Sequence, residues 1–346
     1  MAALILLTGF SAALSRADPL FESAETLDVT ITAAFSEMTN RREKAENPEE
    51  RPATLSWIEN GEPMSVEIGV RPRGKSRRDP DRCKIPPLRL NFKTGDLKDT
   101  VFQKQDKLKL VTHCQAIGSR NSAAEDYLLL EYLAYRMFNE ITDESFRVRL
   151  INLTFVDVED GDAHTHPAFV IESEERLAKR LNSKLSSVHS VSRTDLLLPA
   201  TPIVSFYQYL VGNTDFSMIR GPEGEPCCHN LILLEPGGGY LPVPYDFDVT
   251  GFVNPPGALP AEALGLRRVT QRLYRGFCQD DATLQTVTGV FQAKQAQINA
   301  LIAQLPGLGK KRRRSAAAYV EDFYEIINDP RELQNRIIDK CRGSSG

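Results

Sequence analysis

Apolar residues change their spacing along this chain, and that change constrains the fold more than any single motif. From about residue 26 to 115 they alternate with polar ones: in "LDVTITAAF", in both runs of "ATLSWIENGEPMSVEIGVRPRG", in "PPLRLNF" and in "DKLKLVTHC". A period of two marks strands with one buried face. The Asn60-Gly61 pair between the second and third runs is a strong short-range signal for a hairpin turn. Residues 121–140, "NSAAEDYLLLEYLAYRMFNE", switch to helical spacing, with Asn121 or Ser122 able to cap the start. Strands return in "RVRLINLTFVDVE" and "AFVIES" around "DGDAHTHP", so a β-rich region with one helix is expected over 26–173.

From 174 to 346 the pattern is mainly helical: "SEERLAKRLN", "LLPATPIVSFYQYLVGN", and two long helices after 280. Two short strands, "NLILLE" and "GYLPVPYDFD", interrupt it around a "PGGG" turn. The predicted fold class is α+β, a β-rich lobe followed by a mainly helical lobe that carries a small hairpin.

That hairpin gathers the polar residues of interest. "VGNTDFS" ends an apolar helix and puts Asp215 in the loop beyond it, "HNLILLE" opens the first strand after Asn230, and "VPYDFD" closes the second with Asp246 and Asp248. Antiparallel pairing brings Asn230 and Asp246 to one end of the hairpin, facing the Asp215 loop. Oxygen ligands grouped this way suit a hard cation such as Mg²⁺, which keeps waters and takes substrate phosphates. A carboxylate left free of the metal can orient or deprotonate a hydroxyl. Base, amide and metal-binding acid, in that chain order, are the tools of phosphoryl transfer. Taken singly, Asp215 reads as a helix-end cap, Asn230 as a turn residue and the paired acids as a solvated strand end. Together and in order they favour a site.

The segments "RPRGKSRR…CKIPPLRLNF", "LLLEYLAYRMF", "AFVIESEE", "GNTDFS", "HN" and "VPYDFDVTG", spanning about 66–252, resemble the spore-coat protein H (CotH) family of atypical protein kinases. The resemblance implies a two-lobed protein-kinase-like fold with ATP and Mg²⁺ or Mn²⁺ between the lobes. It implies Asp215 as the catalytic-loop acid, Asn230 and Asp246 as metal ligands, and Asp248 as a second acidic ligand. Arg73, Gly74 and Ser76 would lie in the loop over the phosphates. Either Lys84 or Arg89 would reach those phosphates, with Glu131 as ion-pair partner, and Glu172 would mark the hinge near the adenine. Fifteen positions separate Asp215 from Asn230, far more than in an ordinary kinase catalytic loop.

The opening "MAALILLTGFSAALSRADP" has the apolar run and small residues of a secretory signal over 1–17, and the six cysteines fit an oxidising compartment. Cys278 and Cys341 are expected to pair, whereas the adjacent Cys227 and Cys228 are expected to find different partners or leave a free thiol. No later segment is apolar and long enough to span a bilayer. The net charge of -4 argues against nucleic acid as a partner.

His164 and His166 are expected in an exposed turn and His113 in the packed interior. Ser217 lacks a nucleophile-elbow context, which argues against serine hydrolysis. "KKRRR" at 310–314 reads as a solvated connector between helices, with docking of an acidic substrate as its functional alternative. The expected function is export followed by phosphoryl transfer from ATP to a protein hydroxyl, or transfer of AMP or another group. The competing expectation is a catalytically inactive surface or envelope protein.

Overall fold

The computed structural model describes residues 18–40, 48–74, 77, 83, 85–93, 97–114 and 122–343. The expected signal segment at 1–17, together with Ser76, Lys84 and Asn121, lies outside the described residues. In chain order the first part contains α1 (Pro19–Glu22), β1 (Leu27–Ala33), α2 (Phe35–Asn40), β2 (Arg51–Glu59), β3 (Glu62–Pro72), β4 (Leu88–Asn91) and β5 (Lys107–Val111). Then come α3 (Ser122–Ile141), β6 (Val148–Asp157) and β7 (Ala163–Ile171). The β2–β3 turn is the one the sequence announces: Asn60 and Gly61 both take positive φ, 53° and 85°, and Glu59 pairs with Glu62. A two-residue turn of this hand matches the twist of the strands it joins.

These strands close into a barrel in the order β1-β2-β3-β4-β5-β7-β6. Closure comes from β1, which pairs in parallel with β6 from Leu27↔Ile151 to Ala33↔Asp157. The interior is filled by alternate residues such as Val29, Ile31, Leu55, Trp57, Leu90, Leu110, Leu153 and Phe155. The expected two-lobed protein-kinase-like fold is therefore corrected. A closed seven-stranded mixed barrel is not the typical β lobe of that architecture. The physical reason is the long-range β1–β6 ladder, which removes both sheet edges and which no local pattern announces.

Residues 148–151 of β6 and 168–171 of β7 are buried on both faces. Ile151, Leu153, Ala168 and Val170 point into the barrel, while Val148, Leu150, Phe169 and Ile171 belong to a second core shared with α3 and the C-terminal helices. That second half comprises α4 (Glu174–Arg180), β8 (Lys184–Leu185), α5 (Ala200–Val211), β9 (Leu231–Glu235) and β10 (Leu241–Pro244). It ends with α6 (Asp281–Gln304), α7 (Lys310–Asn328) and α8 (Pro330–Arg336). Every residue of α5 is buried, as an apolar helix on all sides requires.

Three further expectations change. "KKRRR" is no connector but the first turns of α7. Arg313 donates to the carbonyls of Ile302 (2.8 Å), Ala303, Leu305 (2.8 Å) and Leu308 (3.2 Å), and so satisfies the open end of α6. His164 and His166 lie on β7, because the turn is complete at Asp162 and the strand begins at Ala163. His166 is buried, stacks on His113 at 4.1 Å between ring centres, and hydrogen-bonds Glu125 at 2.8 Å. His113 is buried, as expected. Cys227 and Cys228 bond to each other, their Cα atoms 3.0 Å apart across a cis peptide. The other bridges are Cys83–Cys114 and the expected Cys278–Cys341. Three disulfides, and no described helix long and apolar enough to cross a membrane, are compatible with a secreted protein.

Candidate functional site

α5 is ended by Gly212, whose φ of 64° and contact with the Tyr319 hydroxyl leave no room for a Cβ. The chain then turns sharply, with the Asp215 amide donating to Asn213 Oδ1 at 2.9 Å. Arg275 fastens this loop by donating to the Thr214 carbonyl and lying over the Phe216 ring, 5.6 Å from its centre. Two backbone hydrogen bonds, of 3.1 and 3.2 Å, tie Ser217 to His229 and carry the 227–230 segment alongside Asp215. His229 Nε2 meets Asp215 Oδ1 at 2.9 Å, and Asn230 Nδ2 donates to the Asp215 carbonyl at 2.6 Å.

The β9–β10 hairpin does what its pattern predicts. Leu231 pairs with Pro244 and the Tyr245 amide donates to the Asn230 carbonyl at 3.1 Å, so Asn230 and Asp246 share one end. Both adopt positive φ, 54° and 63°, a conformation that Asn and Asp tolerate better than other side chains. The Asp246 amide donates to the Tyr135 hydroxyl at 2.9 Å. Tyr135 and Glu131 lie one turn apart on α3 and both face the same space.

That space is a pocket of about 490 Å³ lined by residues of both halves, among them Arg73, Gly74, Arg77, Lys109, Glu131, Asp215, Asn230, Asp246 and Asp248. A wider groove of about 1070 Å³ runs between α4, β8 and the Gly237–Gly239 turn, but no residue singled out above lines it. The chemistry belongs to the narrower pocket.

Its inner end is crowded with charge. Arg77 is paired with Asp248 and lies 3.4 Å from Glu131. Burial pushes the Glu131 carboxyl well above its ordinary range, against the pull of Arg77, and Asp248 and Asp246 add to the push. Asp246 is also pushed up, by the protein atoms around it and then by Asp248, although its carboxylate opens onto the pocket and water tempers the effect. Arg73 points at the same acids without a hydrogen-bonded side-chain partner among the described residues, and burial draws its pKa down. Two carboxylates one residue apart thus share space with two guanidinium groups.

No three His, Cys, Asp or Glu side chains among the described residues group closely enough to hold a metal ion by themselves. The donor set therefore does not fit an all-protein cage. It fits a cation held by one or two carboxylates, Asp246 and Asp248, and completed by water and phosphate oxygens, which is the habit of Mg²⁺. Asn230 turns its amide nitrogen to Asp215, leaving only its Oδ1 to face such an ion.

The pocket brings together Arg73, Gly74, Glu131, Asp215, Asn230, Asp246 and Asp248. Gly74 takes a φ of 90°, which only glycine adopts freely. Glu172 and Arg89 do not line it. Glu172 is buried and locked by Arg180 at 2.9 and 3.0 Å, and its neighbour Ile171 takes the pocket position. Arg89 sits opposite Lys109 on the outer face of the barrel, and Lys109 alone of the two reaches the pocket. Lys109 is held by Glu174 at 2.6 Å and by the rings of Phe146 and Tyr245. Sequence reasoning missed Arg77, Lys109, Tyr135 and His229. His229 adjoins Asn230 and could have been found; the others signal nothing until α3 and β5 are placed. No protein-family model matches the chain, and no curated protein matches it.

Proposed function

We propose that this chain is an exported, metal-dependent phosphotransferase that moves the γ-phosphoryl group of ATP to a protein hydroxyl. The observation that carries the reading is the convergence, within one pocket, of Arg73, whose guanidinium has no hydrogen-bonded side-chain partner among the described residues, with the adjacent acids Asp246 and Asp248 and the exposed Asp215. A nucleotide polyphosphate presents negative oxygens, and a guanidinium binds them by charge-assisted hydrogen bonds. Mg²⁺ or Mn²⁺ at Asp246 and Asp248 would neutralise phosphate charge, as in phosphoryl transfer generally. Asp215 stands at the accessible side, where an acceptor hydroxyl can approach. The likeness of these segments to the CotH kinases supports the same reading from the site residues, independently of the fold. The disulfides support export.

A second reading has one observation in its favour. Arg77 already neutralises Asp248 and approaches Glu131, so the acids have a partner without any metal. On that reading the chain is a non-catalytic surface or envelope protein. Thermal melts of the purified protein with ATP, and with Mg²⁺ or Mn²⁺, separate the two, because a ligand that binds only the folded state raises Tm. A metal-dependent rise with ATP, accompanied by phosphate transfer to protein, is expected. No rise with either metal favours the structural reading.

A further inference from the structure

The two oxygens of Asp215 both face donors: Oδ1 the His229 ring at 2.9 Å, and Oδ2 the Asn230 amide at 3.4 Å. A carboxylate engaged this way orients its neighbour. His229 presents the complementary half of the arrangement. Its Nε2 meets the carboxylate at 2.9 Å, and in the neutral ring that donates from there the lone pair is on Nδ1. No described residue is hydrogen-bonded to Nδ1, and the ring is 37% exposed within the pocket that holds Arg73 and Asp246. Its main chain is pinned on both sides to Ser217, so the ring pivots from a fixed point. A base oriented by an acid through its far nitrogen is the general device for activating a hydroxyl.

Building on the phosphotransfer reading, we propose that His229 is the general base for the acceptor hydroxyl and that Asp215 is the residue that positions it. The acceptor O–H proton passes to Nδ1, and the freed oxygen pair forms the bond to the γ-phosphorus. The bond from that phosphorus to the β–γ bridging oxygen breaks, and its electron pair leaves on ADP. His229 ends as imidazolium and returns the proton to water.

The test uses the full chain with ATP and Mg²⁺ or Mn²⁺, following phosphate incorporated into the chain's own hydroxyls and ADP released to water. His229→Gln keeps an N–H for Asp215 but takes no proton. It should lower kcat on the order of 10²–10⁴-fold, the usual share of general base catalysis, with KM for ATP unchanged. His229→Ala should be equally slow and should regain activity in proportion to added imidazole, which no purely structural role would produce. Retention of the ATP-induced rise in Tm shows that each variant is folded. A His229→Gln enzyme within about threefold of the parent, or a folded His229→Ala enzyme that imidazole leaves inert, overturns the assignment while the phosphotransfer reading stands. A parent that transfers nothing to protein or water overturns that reading, and this inference with it.

Discussion

The two ends of the pocket hold acids in opposite circumstances. At the inner end Glu131, Asp246 and Asp248 crowd around Arg77, and Glu131 is 5% exposed; at the outer end Asp215 is 74% exposed and meets one histidine. Burial makes charge expensive at Glu131, and the crowding of Asp246 and Asp248 beside it favours a cation nearby. Water at the outer end relieves that demand, and Asp215 is free to bind and aim another group. On the proposed reading, carboxylates serve as a cation seat in one place and as an orienting arm in the other. Solvation makes the difference.

Disabling each end separately tests this division, and these changes have the largest expected effects. Asp246→Asn should abolish transfer and also weaken metal-dependent nucleotide binding. Asp215→Asn should lower transfer on the order of 10²–10⁴-fold while leaving nucleotide binding intact, since a group that serves the acceptor does not hold the nucleotide. Titration of ATP with metal into both variants, beside a transfer assay, reads the contrast; equal loss of binding in the two would erase the distinction between the ends.

Arg73→Met should weaken ATP affinity by about 10- to 150-fold, the equivalent of about 1.5–3 kcal/mol for hydrogen bonds to charged groups. Calorimetric titration with ATP and Mg²⁺ measures it, and unchanged affinity would remove Arg73 from the phosphate site.

The third test is thermodynamic. Burial pushes Glu131 from its ordinary 4.5 up to about 7, so between those values the native state holds a proton that the unfolded chain has lost. The stability this proton contributes is fully present below the unfolded value and is lost as pH rises through the folded one. The Tm of the metal-free protein should therefore carry a component that falls with pH across that window. Glu131→Gln should remove that component, and Mg²⁺ should offset it. Melting curves from acid to neutral pH check this, and an identical pH profile in Glu131→Gln would deny the inner end its crowding.

The smallest effect is expected at Arg89, on the barrel's outer face and away from the pocket lining. Arg89→Met should leave nucleotide affinity within about twofold, as surface changes usually do. A large loss would return Arg89 to the phosphates.

Much of this molecule is written in local patterns. The Asn60-Gly61 turn, the helical period of α3, the β9–β10 hairpin and its convergence of Asn230 with Asp246 follow from rules that span a few residues. The same rules mark Asp215 as the first polar residue of interest beyond an apolar helix. What they could not supply was pairing at a distance. The parallel ladder between β1 and β6 joins residues more than a hundred positions apart, and it alone turns a run of strands into a closed barrel. The partner of Glu131 is likewise Arg77, which lies 3.4 Å from it, whereas Arg89, correct in charge, sits on β4 and does not line the pocket. The Cys227–Cys228 bridge and the burial of His166 escape the local rules for a related reason, since each depends on backbone geometry or packing that composition does not encode. The sequence by itself determined which residue types are present and their order along the elements. The tertiary structure decided which of those charges face one another and how much water reaches them, because desolvation and Coulomb energy depend on separation in space and not along the chain.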